Sequence, residues 1–161
     1  MIAALVAAVL LAAGFPAAQA TPEHGGYLDP QNTQWANPNR ALTPGAIASR
    51  DIRVVCDPFY TDRHGRIGPR LALAVFDRYG VHAQQRAAYE IVHLIAAELG
   101  GADTVENLYP VRKAMLTKDS SAADAKTHVD RLLRTRVCSG EMQLDEAQRR
   151  EVAGWQRAIE F

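Results

Sequence analysis

The chain has no net charge, with 18 Lys and Arg against 18 Asp and Glu over 161 residues. No global field therefore draws a polyanion, although a local basic patch or a bound metal can still do so. Cysteine is scarce, limited to Cys56 and Cys138. Two cysteines without an accompanying His/Cys pattern make a poor zinc module. No basic residue precedes Arg40, and the apolar run over residues 1–15 falls short of the roughly 20 residues that a spanning helix needs. Internal repeats are lacking too, and nothing beyond residues 21–44 is of low complexity.

What is present begins with that apolar run. It is uncharged and closes on Ala18-Gln19-Ala20, which fits an A-x-A cleavage site. Residues 1–20 therefore read as a secretory signal peptide, with an uncleaved anchor as the alternative because a basic leading region is missing. The reading predicts a secreted or periplasmic protein with no stable membrane partner after cleavage. In an oxidising compartment an even cysteine count favours a Cys56–Cys138 disulfide over two buried thiols.

Residues 21–44 are rich in Gly, Pro, Asn and Gln, with prolines at 22, 30, 38 and 44. Such a stretch buries little and reads as a flexible arm. Residues 45–161 then form a single domain. Its β-branched segment 51–56 predicts a short strand, and residues 62–68 a turn. Helical spacing of Leu71, Ala74, Val75 and Tyr79, with Pro69 at the start and Gly80 beyond the end, predicts a helix over 69–79. Two more amphipathic helices are predicted, over 121–137 and 144–159.

The stretch YEIVHLIAAELGGADTVENLYP, residues 89–110, is the informative one. By periodicity alone its first half is a helix, since Ala88, Ile91, Val92, Ile95 and Leu99 fall on one face and Gly100-Gly101 would cap it. On that reading His93 is an ordinary polar residue. The stretch also resembles the HNH family, specifically small exported bacterial members whose motif runs approximately Y-E-x-D-H-L-I-P-L-E-L-G-G and then N-L-W-P. Tyr89, Glu90, His93, Leu94, Ile95, Glu98, Leu99, Gly100, Gly101, Asn107, Leu108 and Pro110 match it, with Tyr109 in place of Trp. Leu42 to Ala46, Cys56, Tyr79-Gly80, Val137-Cys138, Gly140, Ala147-Gln148 and Trp155 extend the likeness across most of residues 42–155.

The resemblance implies an α+β fold, a small ββα-metal core with flanking helices, in which residues 90–95 are a strand. It implies phosphodiester hydrolysis of DNA or RNA with a divalent metal of the Mg or Mn type. His93 would be the general base, a task suited to an imidazole because its pKa lies near working pH. Asn107 would hold the loop that orients it. The chain departs from the family in two places. Val92 stands where the family has the metal-binding Asp, and Ala96-Ala97 replaces a Pro-Leu pair. Losing one hard oxygen ligand weakens an open Mg-type site. The family's K-D-x-L-E run is Lys126, Thr127, His128, Val129, Asp130 here, so Asp124 or His128, one helical turn apart, is the candidate substitute ligand. The sequence thus leaves three functions open: an HNH-type endonuclease impaired by Val92, a catalytically inactive HNH-fold protein kept for binding or structure, or an exported helical domain with no nucleic-acid role.

Overall fold

The structure, a computed structural model, describes residues 37–112 and 122–158, with the side chains of 61–62, 122–125 and 156 excepted. Residues 1–36, which hold the expected signal segment and most of the expected arm, lie outside it. Seven elements follow in order: α1 (Ile52–Val55), α2 (Tyr60–Arg63), α3 (Pro69–Arg78), β1 (Tyr89–His93), β2 (Leu108–Arg112), α4 (Ala122–Ser139) and α5 (Leu144–Gly154). Short 3-10 turns at Ala83–Ala88, Ala97–Leu99 and Trp155–Arg157 join them. The class is α+β, with a two-stranded antiparallel sheet. Among the described residues no helix is long and apolar enough to cross a membrane.

Segment 51–56 is a helical turn, not the strand its β-branched residues suggest. The Asp51 carboxylate accepts the Arg53 N–H at 2.9 Å, an N-cap bond that starts a helix. The turn buries Val55 completely and leaves Ile52 and Val54 each 42% exposed. A lone extended segment would have left all their backbone groups to find partners elsewhere. α3 forms as its sequence suggests, with Pro69 in its first turn and the following Gly80 at φ 65°. The last helix is shorter than the apolar pattern predicts. Gly154 adopts φ 150°, and the chain tightens into a 3-10 turn at Trp155–Arg157.

Residues 89–93 are strand, so the helical periodicity across 88–99 is coincidental. β1 pairs with β2 in the register Tyr89–Arg112, Ile91–Pro110 and His93–Leu108. Each strand of a two-stranded sheet is an edge, so the missing N–H of Pro110 is tolerated. After β1 the chain turns through a loop that only glycine permits. A Cβ on Gly101 would lie 1.9 Å from the Ile95 carbonyl oxygen, and Gly100 has φ 81°.

That loop separates two apolar clusters. Leu94 faces one side, packing with Val75, Tyr79, Leu108 and Tyr109. Ile95 and Leu99 face the other, with Val55, Leu133, Val137, Ala147 and Trp155. Burying a side chain such as Leu133 completely contributes roughly 1.5–3 kcal/mol. Thr43, near the end of the 21–44 segment, is also buried, its hydroxyl 2.6 Å from the Tyr79 hydroxyl and donating to the Leu108 carbonyl. Cys56 and Cys138 form a disulfide that joins the segment after α1 to the end of α4.

Candidate functional site

His93 ends β1, and its imidazole is only 13% exposed. Its Nε2 lies 2.7 Å from Asp103 Oδ1. A carboxylate acceptor there fixes the proton on Nε2 and leaves Nδ1 as the free lone pair. Asp103 is held in turn, its Oδ2 accepting the Gly65 N–H at 3.2 Å. Burial depresses the His93 pKa below its ordinary 6.5, and the hydrogen bond and charge of Asp103 only partly offset this. The ring is therefore neutral at pH 7 and competent to accept a proton. Removing the carboxylate removes the raising influence. In Asp103→Asn the His93 titration, followed by histidine ring NMR, is expected to move further below 6.5. An upward move would show that Asp103 does not govern the ring.

The imidazole borders a cleft of about 310 Å³ lined also by His64, Glu90, Val92, Glu98 and Asp130. Lys126 reaches it from α4 but is not free. Its Nζ donates to Asp130 Oδ1 at 2.9 Å and to Glu151 Oε1 at 3.1 Å. The other Glu151 oxygen accepts the Ala96 N–H at 2.6 Å. This buried cluster ties α4 and α5 to the loop that follows β1. Burial opposes charge on Lys126, yet Glu151 and Asp130 hold it protonated and raise its pKa. Burial likewise pushes Glu151 well above the usual carboxylate range, while Lys126 pulls it down. Lys126 and the Ala96 N–H stabilise its charged form against that burial. Both Glu151 oxygens accept N–H donors, so we read the cluster as a cation between two carboxylates. Tyr109, wholly buried nearby, is pushed up to about 12 by burial.

Asn107 is fully buried beneath the cleft, where its side chain closes the loop. Its Oδ1 accepts the Ile95 N–H at 2.9 Å, and its Nδ2 donates to the carbonyls of Ile95 at 2.9 Å and Ala102 at 3.1 Å. Its own carbonyl accepts the Leu94 N–H at 2.7 Å. Asn107 thus fixes the backbone immediately after His93 and takes no place on the cleft wall.

Of the two candidate substitute ligands, only His128 can be placed. His128 is exposed on α4 and does not line the cleft, and Asp124 has its side chain outside the described residues. Among the described residues, no group of three or more His, Cys, Asp or Glu could hold a metal ion. With Val92 on the wall in place of a donor, the described residues do not fit a divalent metal site.

Sequence reasoning missed Asp103, Glu151 and any role for Glu98. Asp103 had a usable signal, an acid just past a Gly-Gly turn that folds back toward the strand carrying the histidine. Glu151 had none, since an acid in an amphipathic helix is usually solvated. No protein-family model, no curated protein and no solved structure matches this chain.

Proposed function

We propose that the chain is an exported, HNH-like phosphodiester-hydrolysing protein acting on DNA or RNA, with activity impaired by Val92. The observation that carries this reading is His93, on the wall of a cleft and paired with Asp103. His93 Nδ1 takes the proton of the water that attacks phosphorus, while Asp103 holds the ring and stabilises the imidazolium that forms. General-base catalysis of this kind is worth about 10²–10⁴-fold. The impairment has an electrostatic cause. Phosphoryl transfer needs its developing negative charge stabilised, yet the Lys126 charge is taken up by Asp130 and Glu151, and Val92 offers no ligand.

Incubation of the purified protein with plasmid DNA and Mg²⁺ or Mn²⁺ tests this. Slow nicking is expected from the wild type, lost in His93→Ala and raised at least about tenfold in Val92→Asp. Nicking indifferent to His93→Ala would sink the proposal. A second reading, a catalytically inactive HNH-fold protein, is favoured by the missing three-ligand group among the described residues. A silent wild type beside an active Val92→Asp would establish that alternative.

A further inference from the structure

Resting on the phosphodiesterase reading, we propose that Glu98 is the general acid of the cleft, protonating the leaving oxygen as His93 deprotonates the attacking water.

Glu98 lies in the 3-10 turn Ala97–Leu99, a few residues beyond β1, and lines the same cleft as His93. Among the described residues its carboxyl has no hydrogen bond or ion pair. The acids around it are committed: Asp103 to His93, and Asp130 and Glu151 to Lys126. Glu98 also borders the groove beside the disulfide, which Arg131 and Arg134 line. Glu98 therefore lines two depressions, and a substrate chain crossing from one to the other passes beside it.

The surroundings raise the Glu98 pKa from its ordinary 4.5. Burial raises the Glu98 pKa first, and the Asp130 carboxylate adds to it. Arg134, Arg131 and Lys126, all on α4, pull the other way without prevailing. The cleft also presents Glu90, His64 and the neutral His93. His93 is shifted down and Glu98 up, the directions that suit a proton acceptor and a proton donor facing one cleft.

The step balances without a further reagent. A bond forms between the water oxygen and phosphorus, and the water proton passes to His93 Nδ1. The bond from phosphorus to the leaving oxygen breaks, and that oxygen takes the Glu98 proton. The products are a phosphomonoester and an alcohol, and solvent returns the His93 proton to Glu98. Where a metal does not stabilise the leaving alkoxide, this proton is what makes departure feasible.

The test compares two substrates under the same buffer and metal. Plasmid DNA expels a sugar alkoxide, which needs a proton, whereas bis(p-nitrophenyl) phosphate expels a phenolate, which does not. Glu98→Gln is expected to lose about 10²-fold on plasmid and to stay within about twofold of wild type on the nitrophenyl ester. Retained activity on the ester also shows that the variant folds. His93→Ala is expected to fail on both. Equal loss on both substrates in Glu98→Gln, or no loss on either, overturns the assignment while leaving the phosphodiesterase reading intact. Indifference of both substrates to His93→Ala, or no hydrolysis of either by wild type, removes that reading and this one with it.

Discussion

Replacing Cys56 and Cys138 together by serine is expected to lower stability by about 4–5 kcal/mol. The disulfide closes a loop with a sequence separation of 82, and in the chain-entropy model a loop of that size restricts the unfolded chain by about that amount. The native state holds the same junction by other means. Arg134 donates to the carbonyls of Val55 and Asp57, both at 3.2 Å, and Val55 packs into the cluster around Leu99 and Val137. The variant should therefore still fold at 25 °C if the parent has an ordinary margin of about 5–15 kcal/mol. Urea unfolding of the oxidised parent and the double variant measures the difference. A loss below about 1 kcal/mol would mean that Arg134 and Val55 hold the junction and the entropic account is wrong. The junction also bears on the site, because the segment it anchors runs on to Gly65, whose N–H holds Asp103.

The longer helices α3, α4 and α5 were legible because their signals are local. Pro69 and Gly80 bracket α3, and the stripe of Val129, Leu133 and Val137 on α4 faces one cluster. The disulfide followed from the even cysteine count, whereas the α+β class came only through the family resemblance. The turn at Ile52–Val55 was not legible, since β-branched residues favour strand and only the Asp51 cap and the burial of Val55 decide otherwise. Segment 88–99 shows the limit of periodicity. Ile91 and Val92 both pack against the same cluster although they are adjacent in a strand, so the alternation that marks a half-buried strand is blurred. What decides for strand is non-local: the pairing with Leu108–Arg112 and the Gly101 contact with Ile95.

The candidate site was legible only in its histidine and its asparagine. His93 does border a cleft and Asn107 does hold a loop, but what surrounds them depends on segments far apart in the chain. Asp103 is oriented by Gly65, 38 residues earlier. Glu151 meets the Ala96 N–H across 55 residues. Lys126 and Asp130 sit four apart on α4, a spacing that usually marks an exposed helix pair worth a few tenths of a kcal/mol. Only the fold shows that this pair is buried and shares a third partner.

Asn107→Ala is the second change with a large expected effect, again about 4–5 kcal/mol. It strips partners from three backbone groups, the N–H and carbonyl of Ile95 and the carbonyl of Ala102. Each unsatisfied buried group costs about 1–3 kcal/mol. Water has little room to compensate, because Asn107 is fully buried and a Cβ on Gly101 would already lie 2.8 Å from its Nδ2. Asn107→Asp is expected to be no better, since it keeps the acceptor for Ile95 N–H but turns a second oxygen toward two carbonyls. Urea unfolding gives the stability of both variants, and a loss below about 1 kcal/mol in Asn107→Ala would refute the bonding argument. The consequence for chemistry follows from position. Leu94 and Ile95, the residues Asn107 pins through its own carbonyl and its side chain, directly follow His93 in the chain. The loss of the side-chain hold on Ile95 loosens the imidazole from Asp103, so the His93 NMR titration in any folded Asn107→Ala should move toward the ordinary 6.5 as the ring gains solvent. That direction is opposite to the one expected for Asp103→Asn, which removes the partner but keeps the burial.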